Sequence, residues 1–471
     1  MNLLDAIDDP KLFGPWFKDP ATWLAWRAFI AGVFGLPMTD EMAAIYRECT
    51  GREELPTEPT EEAWLIIGRR GGKSFKMALI CVFLATFRDY RPYLQPGERA
   101  TAMVIAADRR QARVIIRYVM GMLTGIPMLT KMVEGQPRAD GVDLNNSTTI
   151  EVGTASFRST RGYTFCAVLC DEIAFWRTDD AAEPDYAILD AIRPGMSTIP
   201  GAVLLCASSP YARRGALWDA FRRWWGKSGA PLVWKAPTRR MNPSVPLAVI
   251  DRAMERDEAS ARAEYLAEFR TDVEALFNRE MVAKVVSEGV PERPYESRRK
   301  YVGFVDPSGG SNDSMTLAIG HLEGQTAYVD AVRERKPPFS PEDVVREYAM
   351  LLKLYGINTV DGDRYAGEWP REAFRRHGIT YRVAESPRSD LYLSMLPAVN
   401  SGRVDMVDVP KLENQLIALE RRTSRGGRDL VDHPPGGHDD VANAVAGVIW
   451  RLTTKIQTAP TAAWGFYTVA R

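Results

Sequence analysis

The chain has no apolar stretch approaching the ~20 residues that a bilayer-spanning helix needs, so a membrane role is not expected. Nor does it carry an excess of charge: 60 Lys and Arg stand against 61 Asp and Glu, a net charge of -1 over 471 residues. Composition therefore does not advertise nucleic-acid binding, and any such surface must be local. Cysteine is sparse. Cys49, Cys81, Cys166, Cys170 and Cys206 sit mostly inside apolar runs; Cys166 and Cys170, four apart on a predicted strand, share a face but lack zinc-like spacing. They read as reduced core residues of a cytosolic protein, and the acidic N-terminus has no secretory pattern. Internal repeats and low-complexity tracts are missing too. What remains is the composition of a soluble globular protein, too long for one ordinary core and about right for two or three domains.

Residues 12 to 36 are rich in aromatics (Trp16, Trp23, Trp26, Phe29, Phe34) and are expected to form a helix packed on the domain that follows. Ala63 to Ile67 reads as a buried strand, Phe75 to Phe87 as a helix apolar all round, and Ala102 to Ala107 as a second strand. Asp108 is placed to cap a helix over 109–123, whose Arg109, Arg110, Arg113 and Arg117 lie mostly on one side. Further strands are expected at about 148–153, 165–170 and 202–207, the alternation of an α/β sheet domain. From 236 to 300 the pattern changes: Pro237, Pro243 and Pro246 punctuate it, and one charged amphipathic helix is expected from Leu247 to Phe269. A second α/β pattern begins at Lys300, with strands at 301–305, 315–321, 326–332 and 357–360 and helices at 341–355, 368–377, 409–422 and 439–452.

Two constellations carry chemistry. Gly68-Arg69-Arg70-Gly71-Gly72-Lys73-Ser74 joins a buried strand to a buried helix, whose N-terminal N–H groups suit an anion. In that setting Lys73 is expected to meet the β- and γ-phosphates of a nucleotide and Ser74 to hold Mg²⁺. Gly68 lies four rather than five residues before Gly72, a departure from the usual Walker spacing. Asp171 ends the strand 165–170, within reach of Mg²⁺ through water, and Glu172 is placed to polarise the attacking water. The strand ending in Ser208-Ser209-Pro210 is suited to sensing the γ-phosphate. The second half offers Asp306 at the end of its first strand, Asp361 and Asp363 at the end of another, and Asp439-Asp440 at the start of a helix. Three acids on three elements are what two divalent ions need for in-line attack on a phosphodiester, although Asp439 is also placed to cap its helix. Arg421, Arg422, Arg425 and Arg428 cluster before the last acidic pair and are candidates for backbone phosphate contacts.

Taken together, these motifs resemble the large terminase subunit of tailed bacteriophages over nearly the whole chain. Gly68 to Ser74 is similar to that family's Arg-containing Walker A variant, whose spacing matches; Arg158 to Trp176 resembles its Walker B region, and Ala207-Ser208-Ser209 its coupling motif. Asp306-Pro307-Ser308, Gly362-Asp363-Arg364-Tyr365 and His438-Asp439-Asp440 resemble its ribonuclease H-like nuclease motifs. The resemblance implies an N-terminal ASCE-type P-loop ATPase over 1–240, a small linking subdomain over 241–298, and a metal-dependent DNA endonuclease over 299–471. It implies ATP and Mg²⁺ as cofactors, with Mn²⁺ an alternative in the nuclease. Gly68, Arg69, Gly71, Gly72, Lys73, Ser74 and Asp171 are then the nucleotide and magnesium residues, Glu172 the catalytic base and Arg161 a finger offered to a neighbouring subunit. Asp306, Asp363 and one or both of Asp439 and Asp440 are the nuclease acids. Implied partners are double-stranded DNA, a portal protein, a small terminase subunit and further copies in a ring, in the host cytoplasm and transiently on the procapsid. The competing reading is an ATP-dependent helicase or remodeller with a non-cleaving ribonuclease H-like domain. A binding scaffold would leave both acid clusters as accidents.

Overall fold

The apolar run after Glu61 is buried on both faces, as a strand flanked by parallel neighbours must be, and it is the strand from which the nucleotide loop springs. A computed structural model describes residues 1–155, 162–176, 184–311, 313–363, 368–423, 429–435 and 437–457. The chain divides into two compact units, Met1–Asp272 and Val273–Arg471.

The first unit is built on one sheet. Its strands are β1 (Glu62–Ile67), β2 (Ala100–Ala106), β3 (Val133–Glu134), β4 (Gly141–Leu144), β5 (Thr148–Thr154), β6 (Thr164–Asp171), β7 (Val203–Ser208) and β8 (Leu232–Ala236), in the order β3-β4-β5-β2-β6-β7-β1-β8. From β5 to β8 all pairings are parallel. One strand, β7, separates the loop-bearing β1 from the acid-bearing β6, which is the P-loop arrangement of the ASCE class. The helix Lys73–Phe87 is buried from Met77 to Ala85, which explains its lack of a polar face. The aromatic segment is core: Trp26 and Phe29 pack edge to face at 5.6 Å, and Phe29 meets Trp234 of β8 at 5.5 Å. The single helix expected from 247 to 269 is two, Leu247–Arg256 and Glu258–Leu266. Asp257 breaks it, because its backbone is extended and its carboxylate caps the second helix by accepting from Ser260 N at 3.1 Å.

The second unit carries β9 (Val273–Ala275), β10 (Val286–Ser287), β11 (Tyr301–Asp306), β12 (Met315–Glu323), β13 (Thr326–Arg335), β14 (Thr359–Gly362), β15 (Thr380–Val383), β16 (Val404–Val407), β17 (Glu420–Thr423) and β18 (Asp429–Asp432). Its main sheet runs β10-β16-β13-β12-β11-β14-β15. β11 to β13 form an antiparallel meander, while β14 and β15 add parallel to β11. That 3-2-1-4-5 core is the ribonuclease H-like topology. The last helix, Asp440–Gln457, crosses this meander so closely that any side chain at Gly447 would collide with the Phe304 ring. The helix expected over 409–422 ends at Ala418; its buried Leu412, Leu416 and Leu419 keep helical spacing past that end, but Glu420–Thr423 pairs as β17 between β18 and β9.

Candidate active sites

In the first unit the loop after β1 closes with Gly72 at φ +94°, a conformation glycine alone adopts cheaply, and Gly72 offers no side chain to cap the helix that follows. The first-turn N–H groups are left for an anion. Gly71 is held by Trp26, whose indole Nε1 donates to its carbonyl at 2.9 Å in a buried setting. Gly68 packs against Thr238, leaving no space for a side chain, and Thr238 Oγ1 donates to Arg69 O at 2.7 Å. Arg69 points its guanidinium at Glu264, at 3.1 Å.

Lys73 is buried; its ammonium donates to Ile67 O at 3.0 Å and stands 3.3 Å from Glu172 Oε1. Ser74 Oγ donates to Asp171 Oδ2 at 2.9 Å, and Gln111 Nε2 donates to the same oxygen at 3.0 Å. Asp171 Oδ1 is buried and has no hydrogen-bond partner. Beside a serine hydroxyl, that orphaned oxygen fits a divalent cation bound with nucleotide. Burial and the adjacent Glu172 push the Asp171 carboxyl above its ordinary range, while Lys73, Ser74 and Gln111 pull it back. Glu172 adopts a left-handed backbone, φ 53° and ψ 44°, a strain of about 1–3 kcal/mol for a non-glycine residue. Its Oε2 accepts from Ser208 Oγ at 3.0 Å and from Ser209 N at 3.1 Å, so the serines that end β7 hold the proposed base. Two residues beyond Ser74, Lys76 is fully buried with its amine 3.5 Å from the Trp23 ring centroid and 3.9 Å from that of Phe17. Burial lowers its pKa to about 6.

In the second unit β11 and β14 are parallel neighbours, in a register that pairs Val305 with Gly362. Asp306 and Asp363 therefore lie side by side. Asn443 of the last helix donates its Nδ2 to both, at 3.0 Å to Asp306 Oδ2 and 2.7 Å to Asp363 Oδ2. Asn443 is itself buried, and its Oδ1 has no partner. Burial, then mutual repulsion, pushes the Asp306 carboxyl well above its ordinary range. Burial also raises the Asp363 carboxyl. Two half-buried carboxylates converging on one neutral amide fit a divalent ion.

Asp439 is engaged elsewhere. Its Oδ1 accepts from Arg388 Nη1 at 2.9 Å and its Oδ2 from Tyr392 Oη at 2.8 Å. Asp440 begins the helix, and burial and Asp439 raise its carboxyl to about 6. Asp361 pairs with Arg382 at 3.0 Å and Arg451 at 3.2 Å. Among the described residues no group of three or more His, Cys, Asp and Glu side chains is arranged to hold a metal ion. Arg421 and Arg422 lie on β17, ion-paired to Asp429 and Glu420 respectively. Arg161, Arg425 and Arg428 lie outside the described residues.

Sequence reasoning missed Gln111, Trp26, Asn443 and Arg388. Asn443 had a signal, being a lone polar residue in the buried run Val441-Ala442-Asn443-Ala444-Val445-Ala446. Gln111 and Arg388 had none, since only the folded sheet brings them to the acids.

No family model and no curated protein matches the chain. Solved structures do. The HK97 bacteriophage large terminase is 17% identical, with 90% of this chain and 99% of that chain covered and a TM-score of 0.38. The large terminase of a thermophilic bacteriophage, in complex with ATP-gamma-S, is 14% identical, with 83% and 93% covered and a TM-score of 0.36. The large terminase nuclease of thermophilic phage G20c with bound magnesium is 15% identical over 37% of this chain and 98% of that one, with a TM-score of 0.33. These three solved structures are large terminases of bacteriophages or their nuclease part, and two of the three are matched over more than four fifths of this chain.

Proposed function

We propose that this chain is a DNA-packaging motor subunit that hydrolyses ATP to drive double-stranded DNA into a procapsid and cuts that DNA with a metal-dependent endonuclease. One observation carries the reading: a chain whose Lys73, Ser74, Asp171 and Glu172 contact one another in pairs at the end of a P-loop sheet also brings Asp306 and Asp363 together on one asparagine in a ribonuclease H-like sheet. A helicase with an inert second domain has no use for the second pair.

In the nucleotide site, Gly71, Gly72 and the first-turn amides cradle the phosphates, and Lys73 exchanges Ile67 O and Glu172 for the β- and γ-oxygens. Ser74 and Asp171 would hold Mg²⁺, which would supply charge neutralisation to the phosphates when bound. Glu172, released from Lys73, orients the attacking water and takes its proton, while Ser208 and Ser209 keep the carboxylate aimed. Arg69 and Arg161 are the arginines that would meet the nucleotide, Arg161 from a neighbouring copy. In the nuclease site, Asp306, Asp363 and one or both of Asp439 and Asp440 would hold Mg²⁺ or Mn²⁺, which activates water and stabilises the leaving oxygen when bound. Asn443 fixes the two strand-end carboxylates relative to each other. Double-stranded DNA, a portal protein, a small terminase subunit and a ring of copies belong to the same reading, as does action in the host cytoplasm.

The test is to assay the purified chain for ATP hydrolysis and for divalent-dependent nicking of supercoiled plasmid. Asp306→Asn is expected to lose nicking and keep ATP hydrolysis. Wild-type nicking by that variant in Mn²⁺ would remove the nuclease and leave the helicase.

A further inference from the structure

The third acid of the nuclease unit is turned to a different use from the first two, and Arg388 is the reason. Asp439 is 3% exposed, and each of its oxygens is taken, one by Arg388 Nη1 and the other by Tyr392. Arg388 does not depend on Asp439 alone, because its Nη2 donates to Asp432 Oδ1 at 2.9 Å. Its charge is also felt at Asp363 and Asp306. One guanidinium therefore lies in the field of four carboxylates. Unlike Asp439 it is within reach of solvent, its side chain being 37% exposed. Guanidinium is also the side-chain group best matched to a phosphate diester, to which it donates two parallel hydrogen bonds.

We infer that Arg388 is a positioning residue that keeps Asp439 occupied until DNA arrives, and that a backbone phosphate draws its guanidinium away and frees Asp439 Oδ1 for the cation site formed with Asp306 and Asp363. The inference rests on the nuclease reading above and adds to it an order of events. DNA and divalent cation bind cooperatively, because each competes with the Arg388–Asp439 pair, and linkage requires the coupling to be reciprocal. A divalent ion held too early would license cutting anywhere. Keeping the third carboxylate paired ties metal loading to engaged DNA.

Mn²⁺ binding to the full-length protein, followed by electron paramagnetic resonance with and without a short DNA duplex, tests this. In the wild type, duplex should tighten Mn²⁺ binding by roughly 5- to 150-fold, the usual span of coupling between two sites. Arg388→Ala should bind Mn²⁺ more tightly than wild type without DNA, should lose most of the duplex-induced shift, and should show a raised KM for DNA. Should Arg388→Ala fold poorly, as judged by circular dichroism, Arg388→Gln preserves one hydrogen bond to Asp439 without the charge and should lose the coupling equally. If either folded variant keeps the wild-type Mn²⁺ midpoint and the wild-type duplex shift, the inference is overturned. Asp306→Asn separates the two levels: Mn²⁺ binding equal to wild type in that variant overturns the nuclease reading itself, whereas weakened binding there with no effect at Arg388 overturns only the role of Arg388.

Discussion

The two acid sites of this chain solve the same electrostatic problem in opposite ways. At the end of β6, buried Asp171 and half-buried Glu172 lie beside Lys73, which stands 3.3 Å from Glu172 and lowers the pKa of Asp171. At the ends of β11 and β14, Asp306 and Asp363 share the neutral Asn443, and for Asp306 the second-largest influence after burial is the repulsion of Asp363. The nearby guanidinium of Arg388 is committed to Asp439 and Asp432. The first site carries its own counter-charge and is assembled in advance; the second has two acids aligned and the third held by an ion pair. A site that must turn over repeatedly is served by the first design, and a site that must not act before its substrate is engaged by the second.

The sharpest way to break the comparison is to remove the counter-charge or the base from the first site. Glu172→Gln keeps the phosphate cradle and Lys73, so nucleotide binding should persist while hydrolysis falls about 10²- to 10⁴-fold, the usual worth of a positioned general base. Lys73→Ala should lose both, since it deletes a phosphate ligand and leaves Glu172 without its ammonium. Fluorescent-nucleotide binding and steady-state phosphate release separate the two outcomes. Steady-state hydrolysis near wild type in Glu172→Gln would end the assignment of that carboxylate.

A second contrast lies in stability rather than rate. A carboxyl whose pKa is raised by folding binds its proton more tightly in the folded state. Its burial costs nothing below the ordinary value near 3.8 and becomes increasingly destabilising as pH rises through the folded value. Asp306→Asn, which removes the charge and keeps an acceptor for Asn443, should therefore raise the thermal midpoint of the metal-free second unit at pH 7. The gain should be about 2–4 °C per kcal/mol of relieved repulsion in a unit of this size. It should shrink as pH falls towards 4, where Asp306 is itself neutral. A midpoint difference that stays constant with pH would mean the two carboxylates do not repel as their burial requires.

Much of this was legible in the sequence, and what was not shares a cause. The strand ends bearing Asp171 and Asp306 are marked by apolar runs that stop at a carboxylate, and Asp363 by a short strand that stops at glycine. The loop from Gly68 to Ser74 is marked by glycine. Which acids meet depends on sheet order and register, and neither is written locally: β12, β13 and the helix Pro341–Leu354 intervene in the chain between β11 and β14, whose ends come together only through parallel pairing. The break at Asp257 was readable as a cap, but the charged periodicity on both sides hid it. Arg388, on a helix with a proline inside it and no amphipathic face, gives no sign in one dimension that it reaches Asp432 and Asp439.

The advance assembly of the first site depends partly on the aromatic N-terminal segment, and a smaller perturbation tests that. Trp26→Phe keeps a large ring under the loop and removes the hydrogen bond to Gly71 O. The net worth of such a bond is about 0.5–1.5 kcal/mol. Leaving a buried carbonyl unpaired should loosen the cradle, raising KM for ATP about 2- to 10-fold with little change in kcat. An equal fall in kcat at constant KM would instead place the effect on the base, Glu172.

The smallest effect expected concerns Arg69, a proposed nucleotide residue whose side chain is engaged away from the lysine and acid cluster. Its guanidinium meets Glu264 at 3.1 Å, and its backbone N–H donates to the Glu264 carbonyl, so the loop is tied at this point to the helix Glu258–Leu266. The side chains are 60% and 35% exposed, a setting in which an ion pair contributes at most about 1 kcal/mol. Glu264→Gln should therefore barely move the thermal midpoint, since the backbone tie survives. It should nevertheless free Arg69 for a phosphate, and KM for ATP should fall by up to about 5-fold, the equivalent of that same 1 kcal/mol. Arg69→Ala on the Glu264→Gln background should abolish the gain. If Glu264→Gln lowers KM equally in the presence and absence of Arg69, the pair is only a surface tie, and the first site draws its whole counter-charge from Lys73.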